Sequence, residues 1–134
     1  MINMMDDLTS NLLKISLTAS AKRTNVIAHN IANAETAGFK ASSVVFEDNL
    51  KKALQKQAIS LTTTNAKHIG ASASEKLIEV KTDTSTSMNE DGNNVDVDLQ
   101  MTNLAANYIL YSTLISQINS RLSMTHYVIT GGNK

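Results

Sequence analysis

Hydrophobic positions fall into helical order at both ends of the chain and lose that order in the middle. From Val97 onward, Val97, Met101, Leu104, Tyr108, Tyr111, Ile115, Ile118 and Leu122 recur at alternating spacings of four and three. That alternation is the seam of a coiled coil. Thr125 would come next, so the seam weakens there. Leu99, Ala106 and Leu110 lie almost opposite, with Ile109 and Leu114 at the flanks. The predicted helix is therefore apolar on two faces, and such a helix is buried on both. The charge pattern agrees: no Asp, Glu, Lys or Arg stands between Asp98 and Arg121. An uncharged run of this length invites a transmembrane reading. Gln100, Asn103, Asn107, Gln117 and Asn119 would all enter hydrocarbon, so a packed protein environment is expected instead.

The N-terminal segment behaves similarly. Met5, Leu8, Leu12, Ile15, Ala19 and Val26 form one stripe, broken by Lys22. Leu13, Leu17, Ile27 and Ile31 form a second, roughly a third of a turn round. Asp6 and Asp7 sit where the macrodipole of this helix favours anions. Gly38 can supply the left-handed residue that follows a helix. "EDGNN" reads as a turn before the last helix, with Asn94 a candidate N-cap and Asp96 and Asp98 in the first turn. Gly131 and Gly132 mark its end. Each terminal helix would then run about 27 to 32 residues, or about 40 to 48 Å. That is too long for a compact 134-residue globule. The expected fold is mainly α: long N- and C-terminal helices paired as an antiparallel coiled-coil hairpin, with a small irregular, β-containing or flexible middle region.

In that middle region, Phe39, Val44, Val45 and Phe46 favour a strand. A short helix fits Asp48 to Gln55, and Leu77 to Lys81 alternates as a weak strand. "TDTSTSMNEDGNN" has almost nothing to bury and is expected to be mobile.

Composition narrows the function. Lys and Arg number 12 and Asp and Glu 12, so no net basic surface exists to neutralise a nucleic-acid duplex. Without cysteine there is neither a disulfide framework nor thiol chemistry. The absence of proline suits long helices, since one inside a helix costs about 3 kcal/mol. The N-terminus lacks a basic stretch and a clean apolar stretch, so no Sec signal peptide is expected, and taken alone this reads as cytoplasmic. His29, His68 and His126 are far apart and match no metal-ligand spacing. The acidic pairs read as caps and solvated surface, and "EDGNNVDVD" lacks the acid spacing of a calcium loop. No glycine-rich phosphate loop and no nucleophile with a placed base is visible. Catalytic, cofactor and metal sites are expected to be absent, as is a small-molecule substrate. What remains is a subunit whose ends pack on each other and on neighbouring copies, and the function is then assembly.

One stretch resists simple packing. In "HNIANAETAGFK", Asn30 and Asn33, with Asn25 just upstream, crowd the last turns of the first helix. Two readings stay open. Asn suits helix termini. Buried amides also fix register where apolar surfaces slide, at a cost in stability, which would put Asn30 and Asn33 at a contact between subunits.

Asn30 to Ser42, "NIANAETAGFKAS", resembles the N-terminal motif of the bacterial flagellar axial proteins, the rod, hook and hook-associated family. Asp91 to Leu122 resembles the C-terminal helix of its basal body rod members, and the order and separation of the two motifs fit. That family commonly carries Thr-Pro-Gly-Tyr where this chain has Thr36, Ala37, Gly38 and Phe39, so a rigid helix stop is missing. It also often has more charge than Gln100 and Thr102 supply. The resemblance implies that residues 1–38 and 95–134 are the N- and C-terminal helices of an inner tube domain, with 39–94 a small outer domain or arm. It implies a structural subunit of the proximal rod, polymerising into a tubular drive shaft that forms the wall of an export channel. The expected assembly residues are Leu8, Leu12, Ile15, Val26, Ile27, Asn30, Ile31, Asn33 and Gly38, with Val97, Met101, Leu104, Tyr108, Tyr111, Ile115, Ile118 and Leu122. Implied neighbours are further copies, rod proteins such as FlgC and the distal rod subunits, the adaptor FliE, the MS ring and the flagellar type III export gate. Export by that route, without a cleaved signal peptide, would replace the cytoplasmic expectation with the rod in the periplasmic space. Another rod subunit, or a soluble helical adaptor or export chaperone, are the alternatives.

Overall fold

The computed structural model describes residues 8–59, 77–84 and 90–131. In chain order the elements are α1 (Leu8–Ala32), β1 (Ser42–Val45), α2 (Glu47–Ile59), β2 (Glu79–Thr82) and α3 (Val97–Ile129). The protein is mainly helical, with long terminal helices and a small two-stranded sheet. Met5, Asp6, Asp7, His68 and Gly132 lie outside the described residues, as do 85–89 of the segment expected to be mobile.

α3 spans 33 residues, about 50 Å. Its N-cap is Asp96 rather than Asn94: the Asp96 carboxylate accepts from Leu99 N at 3.0 Å. Among the described residues, no helix is long and apolar enough to cross a membrane.

α1 stops at Ala32, six residues short of Gly38. Turn hydrogen bonds end it: Asn33 N donates to Asn30 O and Ala34 N to Ile31 O, each at 3.1 Å. Gly38 does turn the chain, with φ of 70°, but in the loop beyond the helix.

Across α1 and α3 the partners run in opposite chain directions. Asn30 meets Gln100, and Ser20 meets Asn107. Near the ends, Ser10 and Leu13 share a cleft with Ile118, Leu122 and Thr125.

The middle region is a small packed unit laid on α1. β1 and β2 pair antiparallel, with Val44 opposite Val80 and Ser42 opposite Thr82. The second strand begins two residues later than its alternation predicts, because Leu77 and Ile78 pack against the core instead. Phe39 lies outside the sheet, whereas α2 extends beyond its predicted limits at both ends. Ile15, Ala19, Val44 and Phe46 form the buried cluster, with Val26, Leu50, Leu77 and Ile78 against it. Burying one such large apolar side chain contributes about 1.5 to 3 kcal/mol. One of the two apolar stripes of α1 is thereby covered within the chain.

An ion pair fastens this unit to α1. Arg23 Nη2 donates to both carboxylate oxygens of Glu47 at 2.8 Å, at the start of α2. Burial pushes the Glu47 carboxyl up, but the Arg23 hydrogen bonds, backbone hydrogen bonds at Glu47 and Phe46 and the Arg23 charge outweigh it, and its pKa is lowered from 4.5. A carboxyl of lowered pKa stabilises the fold above its unfolded value and loses that contribution as pH falls through the folded one. The Glu47 side chain is 62 % exposed, so screening keeps the effect under about 1 kcal/mol. Glu47→Gln is therefore expected to lower stability slightly at neutral pH and to have no effect once the pH is well below 4.5. Urea titrations of both proteins at the two pH values check this, and an equal loss at both would remove the ion pair as its cause.

Candidate assembly site

The two sequence motifs meet at the C-terminal end of α1. Asn93 is fully buried there, and its Nδ2 donates to three carbonyls: Asn33 O at 3.0 Å, Ala34 O at 2.9 Å and Thr36 O at 2.8 Å. Its Oδ1 accepts from Val95 N at 2.7 Å, and its own N donates to Asp91 Oδ1 at 3.0 Å. One amide thus satisfies carbonyls where α1 gives way to irregular chain, a place that otherwise strands acceptors. Gly38 N donates to Asp91 O at 3.0 Å, bringing the two loops backbone to backbone. Gly38 and Gly92 both take left-handed φ, 70° and 84°. A Cβ on Gly92 would lie 3.7 Å from Gly38 Cα, an ordinary contact, so handedness and not space calls for glycine there.

Next to this socket, Asn94 bridges two strands' ends: Oδ1 accepts from Ala41 N at 2.7 Å and Nδ2 donates to Asp83 O at 2.9 Å. Asn30, without exposed surface, ties three elements together. Its Nδ2 donates to Ser42 O at 2.7 Å and to Gln100 Oε1 at 3.2 Å, and its Oδ1 accepts from Ser42 N at 2.9 Å. Farther along, Asn107 donates to Ser20 O and Thr24 Oγ1 at 2.9 Å and accepts from Ser20 Oγ at 3.0 Å. Among the described residues, no buried side-chain nitrogen or oxygen lacks a partner. A slip of α3 along α1 would orphan several of these groups at about 1 to 3 kcal/mol each, so the amides set the register of the pair.

This geometry answers the question of the asparagines differently at each position. Asn30 serves neither as a cap nor as a surface contact; it is an internal cross-link, hidden from any neighbour. Asn33 belongs to the helix end, its Nδ2 donating to His29 O at 2.8 Å. Asn25 is exposed.

The other expected assembly residues divide. Ile15 and Ile27 are buried within the chain, and Leu12, Val26 and Ile31 are half-buried. Leu8 opens α1, and Gly38 lies exposed in the loop after it. On α3 the least exposed positions are Gln100, Leu104, Asn107, Leu114, Ile118, Arg121 and Thr125, with Ile115 beside them. With Tyr111 they keep the four-three spacing but sit three residues out of step with the apolar seam. Three residues turn a helix about 60° short of a full circle. Leu104, Tyr111 and Ile118 therefore belong to both stripes, while Val97, Met101 and Tyr108 face outward and Leu122, though exposed, borders the cleft with Ser10 and Leu13. Leu99 and Leu110 are exposed on the other flank, so α3 has an open apolar surface on each side of its contact with α1. The residues missed in the sequence are Ser20, Ser42, Asn93, Gln100 and Asn107. A signal was present: Gln100, Asn107, Leu114 and Arg121 are spaced by seven, the interval of one heptad position.

A groove of about 360 Å³ separates this second flank from the small unit, lined by Val26, Ser42, Ser43, Asn103, Ala106 and Leu110 among others. Among the described residues, no three His, Asp or Glu side chains gather closely enough to hold a metal ion.

The profile of the family described as "Flagella basal body rod protein" matches residues 16–40, the second half of α1 together with the socket loop. The chain is 32% identical over 120 residues to the flagellar basal body rod protein FlgB of Bacillus subtilis (strain 168), covering 90% of this chain and 92% of that one. To FlgB of Escherichia coli (strain K12) it is 32% identical over 124 residues, covering 88% and 90%. To FlgB of Borrelia hermsii it is 38% identical over 97 residues, covering 67% and 72%. A buried lock between two terminal motifs, open apolar flanks on a long helix and identity across nearly the whole chain coincide, and the chain belongs to the flagellar basal body rod proteins of the FlgB family.

Proposed function

We propose that this structural rod protein polymerises through its terminal helices into the tubular shaft of the flagellar basal body, as a subunit of the proximal rod. The observation that carries this is the uncharged, apolar surface of α3 left open on both sides of α1. Exposed apolar surface of this extent favours association. In the proposed shaft α1 and α3 act as an antiparallel coiled-coil pair, the stiff element that transmits torque, and the wall they build encloses the export channel. Residues 39–94 form the small outer unit. The protein works without catalysis and without a cofactor, nucleic acid or small-molecule substrate. Its neighbours are further copies, FlgC and the distal rod subunits, the adaptor FliE, and the MS ring with the type III export gate. It reaches the periplasmic rod through that gate.

The mechanism is folding completed by assembly. α1 is already covered on two sides, by α3 and by the β1–α2 unit, whereas α3 is covered on one. Ordering each backbone residue costs roughly 1 to 2 kcal/mol, and α3 regains that fully only when neighbours bury its remaining surface. Circular dichroism with limited proteolysis on purified monomer, then on assembled material, tests this. Cleavage within α3 of the monomer, with gain of helicity and protection on assembly, is the expected result. A monomer already resistant and fully helical along α3 would overturn folding on assembly.

A further inference from the structure

We propose that Tyr108 of one copy seats in the groove between α1, β1 and α3 of a neighbouring copy, so that chains join head to tail through opposite flanks of α3. This rests on the rod reading above and adds which surfaces meet. Tyr108 is 74 % exposed, an unusual position for a large amphipathic ring in an uncharged stretch. Such a side chain wants apolar walls for the ring and a polar partner for its hydroxyl. The groove offers both: Val26, Ala106 and Leu110 as walls, and Ser42, Ser43 and Asn103 as polar groups, in about 360 Å³.

The occupant is a second copy of this chain for three reasons. The α3 side of both surfaces carries no charge, since the 22 residues from Leu99 to Ser120 contain none, and the one ion lining the groove, Arg23 of α1, is already paired with Glu47, so a charged partner finds nothing to pair with on α3. The Tyr108 flank is also continuous with the interface to α1, because Leu104, Tyr111 and Ile118 belong to both stripes. Area supplies the third reason. An uncharged stretch of about 33 Å by about 10 Å gives roughly 330 Å² per flank, less than half of the about 800 Å² per partner in a stable pair. A single contact is too small to hold a dimer, and each copy needs both flanks engaged.

Tyr108 and Ala106 are two residues apart, about 200° round the helix. A knob and its groove on opposite sides of one helix cannot satisfy each other in a two-fold pair. They generate a heterologous contact, which leaves a new knob and a new groove exposed after each addition and extends into a helical array unless it closes into a ring.

The chain has no cysteine, so an introduced thiol reports a single contact. Tyr108→Cys and Ala106→Cys copies carrying distinguishable tags are co-expressed in cells lacking their own copy. Motility is scored, basal bodies are isolated, and disulfides are formed with copper–phenanthroline. Disulfides joining position 108 to position 106 are expected to exceed either homodimer by roughly tenfold. Tyr108→Ala is expected to lower incorporation roughly tenfold or more, while Tyr108→Phe retains most of it. If Tyr108→Cys fails to incorporate, Met101→Cys with Leu99→Cys, one heptad earlier on the same two flanks, carries the same expectation. Homodimers as abundant as the mixed product, or no mixed product in basal bodies containing both variants, would overturn the proposal. If the wild-type chain itself neither restores motility nor copurifies with basal bodies, the rod reading fails first.

Discussion

Replacing Asn93 by Ala is expected to destabilise the isolated chain by about 3 kcal/mol, more than any other single polar substitution at the socket. The side chain donates to three carbonyls and accepts from Val95 N, and alanine can do neither. Water reaches this fully buried position poorly, so the acceptors bear much of the desolvation cost. Asn93→Asp is expected to be worse at neutral pH than Asn93→Ala. Aspartate has the same shape, but it aims a carboxylate at three carbonyl oxygens. Its damage should lessen as pH falls through the carboxylate range, because a protonated carboxyl donates one hydrogen bond where the ionised one repels. Thermal or urea unfolding of both variants at neutral and acid pH reads this out. Equal damage from the two substitutions at all pH values would mean that volume, and not donation to the carbonyls, is what Asn93 supplies.

The second large effect is expected at Phe46, which is 5 % exposed in the cluster with Ile15, Ala19 and Val44. Phe46→Ala should cost about 3 to 5 kcal/mol, the range for emptying an aromatic site in a core. A domain of ordinary stability holds about 5 to 15 kcal/mol, so this one change removes a large share of it. Because Phe46 precedes α2 and closes the small unit on α1, the first consequence should be protease cleavage in α2. A loss under about 1 kcal/mol, or no more cleavage in α2 than in the wild-type chain, would show that the unit is not packed on α1 through Phe46.

The terminal helices could be read directly from the chain because periodic apolar residues report a helix whatever covers it. Which partner covers which face could not. At Val97, Met101 and Tyr108 the stripe richest in apolar residues points away from α1, and the contact with α1 is taken partly by Gln100, Asn107 and Arg121. Apolar periodicity finds the total surface to be buried, and it assigns that surface to the nearest partner by default. In a chain whose polar amides fix the internal register, that default is off by three residues. The end of α1 was misplaced for a related reason. Gly38 carries the expected left-handed backbone, but turn hydrogen bonds and an amide from 57 to 60 residues away end the helix at Ala32. Local sequence does not contain that distant donor. Asn93 and Asn94 sit in a stretch that reads as polar and mobile, and they are buried because each side-chain group has a fixed partner there.

The long reach of Asn93 sets a clock. Residues 33–36 are made some 57 to 60 residues before the amide that completes their hydrogen bonds. At about 5 to 20 residues per second of synthesis, the first motif waits roughly 3 to 12 seconds for the second. During that interval the carbonyls of residues 33–36 have only local turn donors and water, and the native arrangement around them is unreachable however well α1 forms. The order of events is therefore written into the chain: the loop after α1, made early, is completed only once residue 93 has been made, and a chain truncated before residue 93 never leaves the waiting state.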